Sequence, residues 1–158
     1  MNLLVIDNVI NNIDGYVDNI LKGEFKDESD GVAVFKGIQQ RPDTDELVKI
    51  ALAIFPQYKL AYNFVRQSPL NQEEPTFIHS DKRMADVTVL LYLNKEAPHN
   101  DGTTLYNDDE TRTAVIHSKY NRMIAFDSDV LHSRNIFENF GIGDDARLVQ
   151  VVFLKEKI

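Results

Sequence analysis

The sequence predicts a mainly β fold of the α+β class: an antiparallel barrel or double-sheet jelly roll with helices packed on its outside. From Lys59 onward, short runs of Val, Ile, Leu, Tyr and Phe alternate with turn-forming stretches, and no helical period is sustained. Before Lys59, apolar residues recur at helical spacing in two places. Many short strands after leading helices bury their common face best in a closed or two-layered sheet with the helices outside. A length of 158 residues fits one domain, so residues 1–158 are read as a single unit.

Taken in order, Leu3 to Ile6 reads as a short strand, and Ile10, Ile13, Val17, Ile20 and Leu21 follow at roughly helical spacing, with Gly23 as the stop. An acidic turn from Asp27 to Gly31 leads to a strand over Val32 to Ile38. Asp43 is the expected N-cap of the clearest helix, with Glu46 three positions on in a capping-box arrangement. Leu47, Ile50, Ala51, Ile54 and Phe55 share its apolar face, and Pro56 ends it. Strands are expected near 59–66, 76–81, 86–94, 103–106, 113–117, 122–127, 130–134 and 147–154. Repeats, low-complexity tracts and linkers are absent.

Composition narrows the chemistry. Hydrophobic residues make up 43% and charged residues 27%, which excludes global disorder and fibrous folds. A net charge of −8, spread along the chain with no basic stripe, disfavours nucleic acid as a partner. With no cysteine there is no disulfide, thiolate metal site or Cys nucleophile, so any metal must sit on His, Asp and Glu. The opening MNLLVIDNVINN lacks the plan of a secretory signal, and no stretch approaches the roughly 18 apolar residues of a membrane span. A soluble, cytoplasmic protein with no membrane association is expected.

His79 and Asp81 are separated by one residue in Thr76-Phe77-Ile78-His79-Ser80-Asp81, a segment read as extended. Side chains at i and i+2 of a strand share a face, so both project toward one point. His132 closes a later run, Ile124 to His132, and supplies a third donor. Two imidazoles and one carboxylate on one side of a metal leave open positions for other ligands, an arrangement suited to Fe(II) and oxygen. H-x-D also arises by chance, and a strand-end histidine is commonly a hydrogen-bonded structural residue. His99, in a turn-rich loop, and His117 have no such partner and are read as structural or solvent-facing. Arg147 opens an apolar strand on which Arg147, Val149, Val151 and Phe153 share a face, and an inward guanidinium needs an anion beside it. A bound dicarboxylate meets that need bidentately; pairing with Asp144 or Asp145 is the plainer alternative.

The order H-x-D, then Leu91-Tyr92-Leu93-Asn94, then Asp101-Gly102-Thr103-Thr104-Leu105, then His132, then Arg147 on the last strand resembles the prolyl-4-hydroxylase-like branch of the 2-oxoglutarate/Fe(II) dioxygenases. The resemblance runs from about His79 to Phe153. It implies a double-stranded β-helix core, with Fe(II) on His79, Asp81 and His132. It also implies that Arg147 pairs with the distal carboxylate of 2-oxoglutarate, assisted by the Tyr92 hydroxyl; Tyr92 read on its own is a core aromatic with a satisfied hydroxyl. The implied reaction is O2-dependent hydroxylation of a C–H bond with release of succinate and CO2, and the Asp81 ligand favours hydroxylation over halogenation. The chain departs from the family in having only Gly102 where a Gly-Gly pair is common. It also carries extra residues, Phe137 to Gly141, between His132 and Arg147. Arg134, two residues after His132, is the competing anchor.

Two rival readings stand beside this one: a zinc hydrolase on the same triad, and a non-catalytic jelly-roll binding or structural module. The substrate is a peptide or protein side chain by family analogy, with a free amino acid or another small metabolite as alternatives. Stretches Gln67 to Pro75, with Glu73 and Glu74, and Lys95 to Asp101 are the candidate mouth loops. Oligomeric state leaves no trace in the sequence.

Overall fold

A computed structural model describes residues 3–73 and 77–158. In chain order its elements are β1 (Leu4–Asp7), α1 (Ile13–Leu21), β2 (Lys26–Ser29), β3 (Val34–Gln40), α2 (Glu46–Ile54), β4 (Tyr58–Ser68), β5 (Val87–Tyr92), β6 (Gly102–Tyr106), β7 (Arg112–His117), β8 (Arg122–Asp127), β9 (Leu131–Arg134) and β10 (Arg147–Glu156). One sheet runs β1-β8-β5-β10-β4-β3-β2 and a second runs β7-β6-β9. Every strand pair is antiparallel. The mainly antiparallel jelly-roll architecture read from the sequence is the observed one.

Period-two alternation divides the large sheet into two apolar faces. Val87, Val89, Leu91, Met123, Ala125, Leu148, Val152 and Leu154 point one way and bury against Val17 and Ile20 of α1 and Leu47, Val48 and Ala51 of α2. Leu90, Tyr92, Ile124, Phe126 and Val149 point the other way and meet Leu105 and Ile116 of the small sheet. The helices therefore seal one face of the large sheet, and the space between the two sheets is left for a site. No helix among the described residues is long and apolar enough to cross a membrane.

Three local expectations are corrected. The N-cap of α2 is Asp45, not Asp43, and it makes no side-chain cap hydrogen bond. Its carboxylate is already engaged: Arg41 donates to it bidentately at 2.9 Å on both oxygens, and Asn63 and the fully buried Gln150 each donate to Oδ2 at 3.2 Å. Gln150 also donates to Asn63 Oδ1 at 2.7 Å and accepts from the Tyr16 hydroxyl at 2.6 Å, so a closed polar network ties α1 and α2 to β4 and β10. The acidic stretch expected as a turn from Asp27 begins instead inside β2, which pairs with β3. The turn proper lies at Asp30, whose Oδ1 accepts from the Val32 and Ala33 amides. Cross-strand pairing here overrides the low strand propensity of Asp and Glu. Finally, the expected strand 76–81 is a single bridge at His79 rather than a strand; Thr76 lies outside the described residues.

Gly102 opens β6 with φ +148°, and a Cβ there would collide with the Ile116 carbonyl oxygen of β7. Gly102→Ala is therefore expected to lower stability by more than about 1 kcal/mol, because neither the backbone angle nor the space accommodates the methyl. Denaturant unfolding checks this.

Candidate metal centre

His79 and His132 are brought together by backbone. His79 donates its N–H to the His132 carbonyl at 3.0 Å, and His132 returns the bond at 2.8 Å. This lone antiparallel bridge sets the imidazole centroids 4.4 Å apart. The chain then leaves the sheet: the Asp81 amide donates to Ser128 O at 2.7 Å, and the Met84 and Ala85 amides donate to Asp81 O, closing a turn. That turn explains why no strand forms over 77–81, and it places the Asp81 carboxylate beside both rings. Asp81 Oδ1 lies 3.5 Å from His79 Nε2 and Oδ2 lies 3.1 Å from His132 Nε2. One donor atom from each of the three residues falls within 4.8 Å of the others.

The rings are also oriented as ligands. His79 Nδ1 is 3.0 Å from Phe77 O, and His132 Nδ1 is 3.0 Å from Val130 O. With Nδ1–H donating to a carbonyl in each ring, both Nε2 atoms turn toward the carboxylate, and these are the nitrogens left for a metal. Thr88 Oγ1 donates to Asp81 Oδ2 at 3.2 Å and is 2.8 Å from Ser128 Oγ, which fixes the carboxylate in turn. Two nitrogen donors and one oxygen donor with no thiolate fit a first-row divalent ion such as Fe(II).

Electrostatics point the same way. Burial pushes the Asp81 carboxyl up, but hydrogen bonds from His132 and His79 outweigh it and hold the group well below the usual carboxylate range. The Asp81 hydrogen bond in turn raises the His79 imidazole above its ordinary value, against its burial. Without metal, then, the cluster favours the protonated form of His79 more than an isolated imidazole would. Its stabilising contribution is present below the ordinary imidazole value and fades as pH rises through the raised one. A metal must displace that proton, so the gain in melting temperature from a divalent ion is expected to be larger near about pH 8 than near about pH 6. Thermal melts with and without metal at both pH values check the sign.

Between the sheets, a cavity of about 170 Å³ is lined by both imidazoles, by Tyr92 and by three guanidinium groups, Arg66, Arg134 and Arg147. Arg147 faces inward on β10 as expected from alternation. Its partner is neither Asp144 nor Asp145 but Asp101, which accepts from Nε at 3.2 Å; the two residues are 7% and 2% exposed. The Tyr92 hydroxyl is 2.6 Å from Thr103 Oγ1, and burial pushes its pKa up to about 12, so it stays a neutral hydroxyl. Arg134 donates from Nη2 to Asn139 Oδ1 at 2.7 Å. Arg66, on β4, was not singled out by sequence reasoning. The signal was there: Val65 is buried against the helices, so its neighbour must face the other way. His99 and His117 are exposed, in keeping with the reading that set them aside.

The loops divide. Leu70 to Glu73 lines a wide outer groove with Lys36 and Phe137 to Asn139, while Glu74 and Pro75 lie outside the described residues. No residue of Lys95 to Asp101 lines the cavity between the sheets; Lys95 instead reaches Asp14 of α1 at 3.5 Å.

No family model matches the sequence, and no curated protein matches it. Solved structures do. A prolyl hydroxylase from Trichoplax adhaerens, in complex with a hypoxia inducible factor oxygen degradation domain peptide fragment, aligns with TM-score 0.69 at 15% identity over 98% of this chain and 84% of its own. A Pseudomonas putida prolyl-4-hydroxylase aligns with TM-score 0.66 at 15% identity over 98% and 92%. The epimerase SnoN, in complex with Fe3+, alpha ketoglutarate and nogalamycin RO, aligns with TM-score 0.63 at 13% identity over 98% and 78%. The His-Asp-His cluster thus sits in a chain that shares the fold of the 2-oxoglutarate/Fe(II) oxygenases, prolyl hydroxylases among them.

Proposed function

We propose that the protein is an Fe(II)- and 2-oxoglutarate-dependent dioxygenase that hydroxylates a C–H bond. The observation that carries this reading is the cluster of His79, Asp81 and His132 at a cavity whose other described lining residues are apolar, hydroxyl-bearing or cationic, with no acid among them. His79, Asp81 and His132 would hold Fe(II), a donor set suited to an ion that also takes cosubstrate and oxygen. Arg147, with Tyr92 and Thr103 beside it, receives the distal carboxylate of 2-oxoglutarate; a planar fork matches a carboxylate bidentately. Leu90, Val149 and Val151 line the space between and keep water out. When bound, Fe(II), 2-oxoglutarate and O2 together supply oxidative decarboxylation to succinate and CO2 coupled to oxygen insertion into the substrate. The Asp81 carboxylate occupies a metal position and so favours hydroxylation over halogenation. A peptide or protein side chain is the first substrate class to test, supported by the peptide complex of the Trichoplax adhaerens neighbour.

Anaerobic addition of Fe(II) and 2-oxoglutarate is expected to give the weak visible charge-transfer band of the chelate. Retention of that band by His79→Ala protein would count against the reading. Succinate release under air is the accompanying activity measurement.

A further inference from the structure

We propose that the primary substrate carries a carboxylate, received by Arg66 and Arg134 on facing walls of the cavity while Arg147 takes the cosubstrate. This rests on the function proposed above and adds a substrate class to it.

The chain has 25 acidic against 17 basic residues, yet three arginines line this one small cavity and no Asp or Glu is among its described lining residues. Their positions differ in kind. Arg147 lies deep, with Nε given to buried Asp101. Arg134 follows His132 by two positions on β9, so it leaves the same face roughly 7 Å further along the strand. Arg66 comes from the opposite sheet, where β4 sets it across from Val149 of β10. A dicarboxylate chelated at the metal has one remaining carboxylate, and a single guanidinium serves it. Two more cations beside the metal site are placed to hold another anion.

Arg134 is also a built position rather than a stray side chain. Asn139, 5% exposed, accepts from its Nη2 at 2.7 Å and donates its own Nδ2 to Gln72 O at 2.8 Å. Asn139 lies in the connection between β9 and β10, so this connection aims Arg134. Either arginine can keep a protein partner and still receive a ligand oxygen, because a guanidinium carries five N–H donors. An amide of the same shape offers one acceptor and no charge, and is expected to be rejected.

The test uses the full chain with Mn(II) in place of Fe(II) and saturating N-oxalylglycine, a non-reacting analogue of 2-oxoglutarate. Paramagnetic broadening of proton signals is then compared for propionate against propionamide, and for N-acetylglutamate α-amide against its glutamine counterpart. The acid of at least one pair is expected to be broadened at least about 5-fold more than its amide, as a charge-assisted bidentate contact demands. The first pair reports a free acid and the second an acidic side chain. Selectivity should fall in Arg134→Gln and Arg66→Met and survive in part in Arg66→Lys, each still broadening N-oxalylglycine as a check of the fold. Equal broadening within both pairs, no broadening of any probe, or selectivity indifferent to both arginines overturns the proposal. So does a variant series in which only N-oxalylglycine affinity changes, since the arginines would then belong to the cosubstrate. If N-oxalylglycine is not broadened in the unaltered protein, the dioxygenase reading itself fails, and this inference with it.

Discussion

Asp81→Ala protein is expected to lose bound metal and turnover together while remaining folded. Asp81 is the one carboxylate of the cluster and lies within 3.5 Å of both Nε2 atoms, so its removal takes the negative charge and one of three ligands at once. Disturbing a residue that merely orients a ligand costs roughly 10- to 100-fold in metal affinity or activity; losing the ligand itself is expected to cost at least about 100-fold. The fold has less at stake. The Asp81 backbone bonds to Ser128, Met84 and Ala85 do not need the side chain, and Thr88 keeps Ser128 Oγ as a partner at 2.8 Å. Metal content after gel filtration and a thermal melt separate the two effects. Thr88→Val is the graded control: it removes the 3.2 Å bond to Oδ2 but no ligand, and a fall of about 10-fold is expected. Stoichiometric metal on Asp81→Ala would sink the site.

How much of this was legible beforehand follows from which interactions are local. Alternation along Arg147 to Leu154 announced both faces of β10 correctly, because a half-buried strand writes its environment into every second residue. The triad was legible for a different reason: three side chains able to hold a metal recurred in the order of a known family. What the sequence hid was set by distant partners. Asp45, the N-cap of α2, makes no side-chain cap bond because its carboxylate is held by Arg41, Asn63 and Gln150, the last 105 positions away. The strand expected through His79 ends at once because Asp81 turns to the β8–β9 connection. Asp101 as the counter-ion of Arg147 lies 46 positions upstream, whereas Asp144 and Asp145 were merely near in sequence.

That last pairing determines what Arg147→Met should do. Two losses are expected, and they separate. The first is cosubstrate affinity: removing the guanidinium forfeits a charge-assisted, two-pronged contact and is expected to weaken 2-oxoglutarate binding by about 100-fold, whereas Arg134→Met should weaken it far less. The second is stability. Asp101 is 2% exposed, and breaking a buried pair from one side typically costs about 3–5 kcal/mol. A reduced affinity in Arg147→Met alone is therefore ambiguous, since a loosened β6 would also disturb Thr103 and Tyr92. The double variant Arg147→Met, Asp101→Leu removes both charges at once. It is expected to regain most of the lost melting temperature, because an apolar pair of similar volume replaces a buried ion pair at little cost, yet to bind 2-oxoglutarate as poorly as the single variant. Calorimetric titration on metal-loaded, oxygen-free protein measures the affinity and a thermal melt measures the fold. Recovery of affinity along with stability would show that Arg147 only holds Asp101 in place, and a loss confined to Arg134→Met would move the anchor to β9.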